Sequence, residues 1–160
     1  MLTTDLSISK TLWKKLIKEL KLRGKGIRES GAFLLGNSTE KKITEFICYD
    51  DLDPHSLDSG IIVFEGDGYL PLWKICSEKQ LQVLADVHTH PGNWTGQSGA
   101  DQKHPMIAQA GHLALIVPNL ATKRGQLLKN VGIHEYLGDK QWKTWEIDSE
   151  KFKIIENEIV

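Results

Sequence analysis

Two histidines two residues apart are the first side chains in this sequence whose spacing can do chemistry. They lie in Asp86-Val87-His88-Thr89-His90-Pro91, which reads as the end of a strand. Alternate residues of a strand share a face, so both imidazoles project the same way and form a ready pair of metal ligands. Further on, across a loop rich in Gly, Asn, Thr and Ser, Ser98-Gly99-Ala100-Asp101 opens a predicted helix. The Asp101 carboxylate completes a three-ligand set of the kind a catalytic zinc takes, with the fourth position left for water. Each piece also has an ordinary reading. An isolated His-x-His is more often a surface strand pair, and Ser-x-x-Asp is a common helix-capping signature. For Asp101 the cap and the ligand are compatible roles.

The elements that must position these groups follow from hydrophobic periodicity. Between residues 7 and 22, Ile8, Leu12, Leu16 and Leu20 recur at helical spacing, with Ser7 or Ser9 available as an N-cap. Gly24 and Gly26 break that helix. Residues 30–35 are an apolar run of strand length closed by Gly36-Asn37-Ser38, and Glu29 stands at its entrance. Residues 42–49 and 60–65, the latter containing Ile61-Ile62-Val63-Phe64, are expected as further strands. Pro71 suits a first helical turn, and the spacing of Leu72, Ile75 and Leu81 predicts a helix over 71–82. Val83 to Val87 is then a buried strand running into His88. A short helix over 101–110, a strand over 112–117 and a hairpin of 132–136 with 142–147 complete the expected order. The tail, 151–160, is expected as a last helix or as a frayed end.

The chain has 160 residues, 40% of them apolar and 26% charged, which suits one domain spanning 1–160 with a single core. A formal net charge of −1 offers no broad basic field, so nucleic acid is a poor expectation as a partner. Cys48 and Cys76 are too few for a disulfide scaffold and are read as reduced core thiols. The N-terminus lacks the pattern of a signal peptide and no apolar run approaches the ~20 residues that span a bilayer, so a cytoplasmic, membrane-free protein is expected.

Taken together, His88-Thr89-His90-Pro91, the loop and Ser98-x-x-Asp101 resemble the signature of the JAB/MPN (JAMM) zinc metalloprotease family. Glu29 followed by Ser30-Gly31-Ala32-Phe33-Leu34-Leu35-Gly36 resembles the family's upstream Glu and its strand. The order of elements over residues 7–147 is also similar. The resemblance implies an α/β (α+β) fold with a mixed sheet flanked by helices and one Zn²⁺ held by His88, His90 and Asp101. It makes Glu29 the general base, and it sets Ser98 beside the metal as an oxyanion donor. Zinc acidifies a water, the base takes and returns a proton, and the hydroxyl steadies the charge that develops on a carbonyl oxygen.

The compact, single-domain form resembles prokaryotic members that cleave after the Gly-terminated tail of a ubiquitin-like protein, deconjugating it from targets or trimming its precursor. A metal-free scaffold and a RadC-like DNA-associated metalloprotein are the alternatives. The first would be expected to have lost ligands, and the second is disfavoured by the charge balance. Where related proteins place a substrate-binding insertion, Val63 and Phe64 are expected to line the channel as a strand edge, with Trp94 opposite. His104 is read as a surface or supporting residue. His55, His112 and His134 are read as ordinary residues, and Trp13, Trp73, Trp142 and Trp145 as core or hairpin residues.

Overall fold

Residues 31–36 are all buried, a pattern that suits a strand covered on both faces. A computed structural model describes residues 5–123 and 130–156. Its strands are β1 (Leu6–Ser9), β2 (Gly31–Asn37), β3 (Lys42–Cys48), β4 (Gln82–Thr89), β5 (Leu113–Val117), β6 (Gly132–Gly138), β7 (Gln141–Trp145) and β8 (Phe152–Ile155). They form one mixed sheet in the order β7-β6-β5-β4-β2-β3-β1-β8. The helices are α1 (Lys10–Gly24), α2 (Tyr49–Leu52), α3 (Tyr69–Lys79) and α4 (Gly99–Lys103). None is long and apolar enough to cross a membrane.

The alternation of β2 divides the core. Ala32 and Leu34 face α1 and pack with Trp13, Leu16 and Leu20, while Phe33 and Leu35 face α2 and α3 and pack with Tyr49, Leu52 and Leu72. On the neighbouring β4, Ala85 and Val87 belong to the α1 side. Asp86 and His88 therefore point to the α2–α3 side. The expected mixed sheet flanked by helices is the observed architecture. Cys48 and Cys76 are buried and unpaired.

Several expected boundaries move. The first helix begins at Lys10, with Ser9 as its N-cap accepting from the Leu12 N–H at 3.2 Å. Ile8, which fits the helical stripe, instead sits in β1 opposite Ile43 and Ile154. The tail supplies β8, a strand parallel to β1 that buries Phe152 against Trp13. Of that tail, residues 157–160 lie outside the described residues. The expected helix over 101–110 stops at Lys103, because His104 precedes Pro105 and such a residue is pushed away from helical angles. The expected helix over 71–82 is Tyr69–Lys79, ended by Gln80 in the left-handed region. Trp73, expected in a core, is 47% exposed on α3.

Residues 60–65 are not a strand. Their donors are already committed: Val63 N–H to the Ser56 carbonyl at 2.9 Å, Glu65 N–H to the Asp53 carboxylate at 3.0 Å, and Ile62 N–H to the Glu29 carboxylate. The segment is thus tied down locally, and Val63 does not offer its N–H to an added strand.

Candidate metal centre

The end of β4 carries the site. Thr89 is clamped to the start of β2 by two hydrogen bonds, its N–H to the Ser30 carbonyl at 2.9 Å and the Ser30 N–H to its hydroxyl at 3.0 Å. Gly31 lies opposite His88 in register. A Cβ there would stand 2.4 Å from the Tyr49 ring and 2.6 Å from the Val87 carbonyl oxygen. Glycine thus lets β2, β4 and α2 close up, and that brings Glu29 to the edge of the histidine pair. The His90 backbone is pinned beyond β5, its N–H to Val117 and its carbonyl accepting from Leu120, both at 2.9 Å.

His88, His90 and Asp101 converge. His88 Nε2 lies 3.3 Å from His90 Nε2, and Asp101 reaches His88 at 3.4 Å through Oδ1 and His90 at 3.2 Å through Oδ2. Among the described residues they are the one group of three such side chains whose ligand atoms gather within 4.8 Å. The His88–His90 separation matches a metal's demand, since zinc with bonds of about 2.0–2.1 Å in tetrahedral array spaces its ligands about 3.3 Å apart, and each histidine has one of the two Asp101 oxygens at a like distance. The donor set passes a second test. His90 Nδ1 donates to the Trp94 carbonyl at 3.1 Å, which fixes the tautomer so that Nε2 can present its lone pair to a cation. The residues present could therefore hold a metal ion.

Ser98 is the N-cap of α4 and forms a full capping box. Its hydroxyl accepts from the Asp101 N–H at 3.0 Å, and its own N–H donates to Asp101 Oδ2 at 2.9 Å. The cap reading of Asp101 is observed and leaves the ligand reading open to it, since the capped carboxylate lies against both histidines. Burial by itself would raise the Asp101 pKa, but hydrogen bonds from His88 and His90 pull it far below the ordinary carboxylate value. Burial lowers the His90 pKa, and the hydrogen bonds to Asp101 and the Trp94 carbonyl, with the nearby charges of Asp101 and Glu29, together outweigh it and leave His90 above its usual 6.5. Burial raises the Glu29 pKa against the opposing pull of His88 and His90.

Glu29, His88, His90, Ser98 and Asp101 all line one cavity of about 560 Å³, walled by Val63, Phe64 and Met106, a size suited to a small-molecule or peptide-tail site. Trp94 is not on that wall. Its ring stacks on His90 with centroids 5.6 Å apart and faces an adjoining cavity. His104 is exposed at the rim.

Two groups with no signal in the local sequence lie beneath the site. His112 and Asp86, both buried, pair at 2.6 Å, and the Tyr49 hydroxyl approaches the same carboxylate at 3.4 Å. His112 is therefore the hydrogen-bond partner of a buried acidic side chain, not an ordinary residue. His134 bridges β7 and the loop after His90, reaching the Thr144 hydroxyl and the Thr95 carbonyl, each at 2.9 Å.

No family model matches the sequence. The fold is similar to solved structures along nearly its whole length. A protein from Desulfitobacterium hafniense, solved in solution, aligns with a TM-score of 0.67 at 15% identity, covering 95% of this chain and 94% of that one. A JAB1/MPN domain protein from Archaeoglobus fulgidus aligns with a TM-score of 0.53 at 16% identity, covering 96% and 100%. A Salinibacter ruber protein gives 0.59 at 12% identity, covering 95% and 92%. At such identities the likeness is one of fold, and the fold is MPN-like.

Proposed function

We propose that this chain is a zinc-dependent peptidase or isopeptidase of the JAMM type, cleaving after the C-terminal glycine of a ubiquitin-like protein. The observation that carries the reading is the convergence of three side chains, each with one ligand atom within 4.8 Å of the others, beside a half-buried carboxyl in one cavity. His88, His90 and Asp101 would hold the ion. When bound, zinc supplies a Lewis acid and lowers the pKa of water toward neutrality.

The chain's own groups do the rest. Glu29, its carboxylate held by the Ile62 N–H, accepts the proton of the attacking water and hands it to the departing amine nitrogen. Ser98 accepts from the Asp101 N–H, so its own proton is left to donate into the cavity toward a developing oxyanion. The His90–Trp94 bond and the Ser98–Asp101 capping box hold two ligands in place. A Gly-ended tail is proposed as the occupant of the cavity that Val63, Phe64 and Met106 line together with the cluster.

The test is incubation of zinc-loaded protein with a panel of Gly-Gly-linked ubiquitin-like fusions, with and without chelator. Cleavage after the terminal Gly that chelation abolishes is expected. Loaded protein that cleaves no fusion would leave the metal-holding scaffold as the better reading. Equal cleavage of fusions ending in Val would point to a general peptidase.

A further inference from the structure

His134 has no part in the proposed hydrolysis, yet it is 3% exposed and both of its ring nitrogens are engaged. It stands in one row with Ala114 and Asp86 across β6, β5 and β4, and residues opposite one another in a sheet share a face. The ring therefore rises on the face that carries His88. A carbonyl oxygen only accepts, so His134 Nε2 carries a proton and donates it to the Thr95 carbonyl at 2.9 Å. In the neutral ring Nδ1 is then left to accept from the Thr144 hydroxyl, also at 2.9 Å.

The carbonyl that His134 holds is next in the chain to one that touches a candidate ligand. The Trp94 carbonyl accepts from His90 Nδ1 at 3.1 Å, and the Trp94 ring stacks on the His90 ring. Two histidines thus grip consecutive carbonyls of one loop, the first a candidate ligand and the second anchored in β6. The Asn119 N–H on the Gly92 carbonyl at 2.8 Å fixes the loop before Trp94, and His134 fixes it after. Gly132 permits this close seat, because a Cβ there would stand 2.1 Å from the Thr95 oxygen.

We propose that His134 is a positioning residue for the metal centre: by holding the Thr95 carbonyl it sets the neighbouring Trp94 carbonyl, and so the orientation of the His90 ring. This role rests on the metal-centre part of the proposed function, whatever bond that centre cleaves. A hydrogen bond to the far nitrogen of a ligand histidine fixes its tautomer and raises its basicity. Loosening the acceptor of that bond therefore costs metal affinity before it costs anything else.

The experiment reads zinc affinity by chelator competition in wild-type protein and in variants, with thermal melts of each in excess chelator. His134→Leu removes the donor and should weaken zinc about tenfold, the lower end for outer partners of a ligand, because the effect passes through a peptide unit. His134→Gln, whose amide N–H can take the place of the Nε2 donor, should keep the wild-type affinity. Gly132→Ala pushes on the same carbonyl from a different residue and should weaken zinc to a similar degree, so one variant reports where the other fails to fold. Unchanged zinc affinity in the folded variants among His134→Leu and Gly132→Ala overturns the assignment, even with a lower melting temperature, since that is the mark of a residue that only supports the fold. A His134→Gln affinity as weak as that of His134→Leu overturns it too. Wild-type protein that binds no zinc overturns the metal centre and this assignment with it. Wild-type protein that binds zinc but cleaves no Gly-Gly fusion removes the peptidase reading alone, and the affinity pattern of the variants still decides the role of His134.

Discussion

In the proposed hydrolysis Glu29 is the general base, and that role can be tested apart from cation binding because Glu29 is not one of the three converging side chains. Glu29→Gln keeps a hydrogen-bonding group but cannot accept a proton. Turnover should fall by about 10²–10⁴ with the cation retained, as kinetics and elemental analysis on the same preparation would show. Wild-type rates would move the base elsewhere. Ser98→Ala should cost about 10²–10³ in kcat if the hydroxyl is an oxyanion donor, whereas an unchanged kcat would leave only the helix cap. Proton competition gives a further prediction. His90 lies above its usual 6.5 and Asp101 far below its usual 3.8, so near neutrality Asp101 stays ionised while His90 must lose a proton to bind metal. Cation affinity should weaken as pH falls, beginning above pH 6.5, and chelator competition across pH 6–8 would detect it. A flat affinity over that range would contradict the shift. His88, His90, Ser98 and Asp101 were legible because their meaning sits in short motifs, and Glu29 because a recognisable strand follows it. Asp86, His112 and Tyr49 were not, because they are 26 and 37 residues apart and meet only once β4 and β5 pair.

At the scale of elements, the pairing of β4 with β5 places the buried His112–Asp86 hydrogen bond beside the candidate metal centre, and breaking one partner should be felt through the sheet. His112→Ala leaves the Asp86 carboxylate, 2% exposed, without its 2.6 Å partner. Leaving a buried polar group without its hydrogen-bond partner costs about 1–3 kcal/mol. Denaturant unfolding should register that loss, and a change under about 1 kcal/mol would mean that Asp86 is held by other groups. The central strands were readable from sequence because β2, β4 and β5 are nearly continuous apolar runs. The edges were not. Ile8 satisfies a helical stripe and a strand equally well, and only its register against Ile43 and Ile154 decides. The tail has too little pattern in Phe152–Ile155 to announce a strand that pairs across the whole chain with β1. Residues 60–65 have strand composition, yet their N–H groups go to Ser56, Asp53 and Glu29, so local turns won over pairing.

Across the whole molecule, the candidate ligand set joins two parts of the chain. His88 and His90 lie at the sheet centre, whereas Asp101 stands on the five-residue helix α4, which contributes no fully buried residue of its own. A short helix without a core face is held by its cap, by the Trp142 N–H on the Gln102 carbonyl and by the histidine contacts, so a cation there should raise the stability of the fold as a whole. Binding to the folded state alone adds about 2.7 kcal/mol at a hundredfold excess over Kd. For a chain of 160 residues that corresponds to a rise in Tm of about 5–10 °C. Thermal melts of the chelated protein, with and without added zinc, should show it. His88→Ala should abolish the zinc-dependent rise while leaving the capping box intact. Ser98→Ala should lower the baseline Tm by loss of the cap, about 1 kcal/mol, yet keep the zinc-dependent rise. This opposite pattern distinguishes a ligand from a cap within the same few residues. A zinc-dependent rise that survives His88→Ala would place the cation outside the His88, His90 and Asp101 cluster, and the reading of these residues as a metal centre would fall.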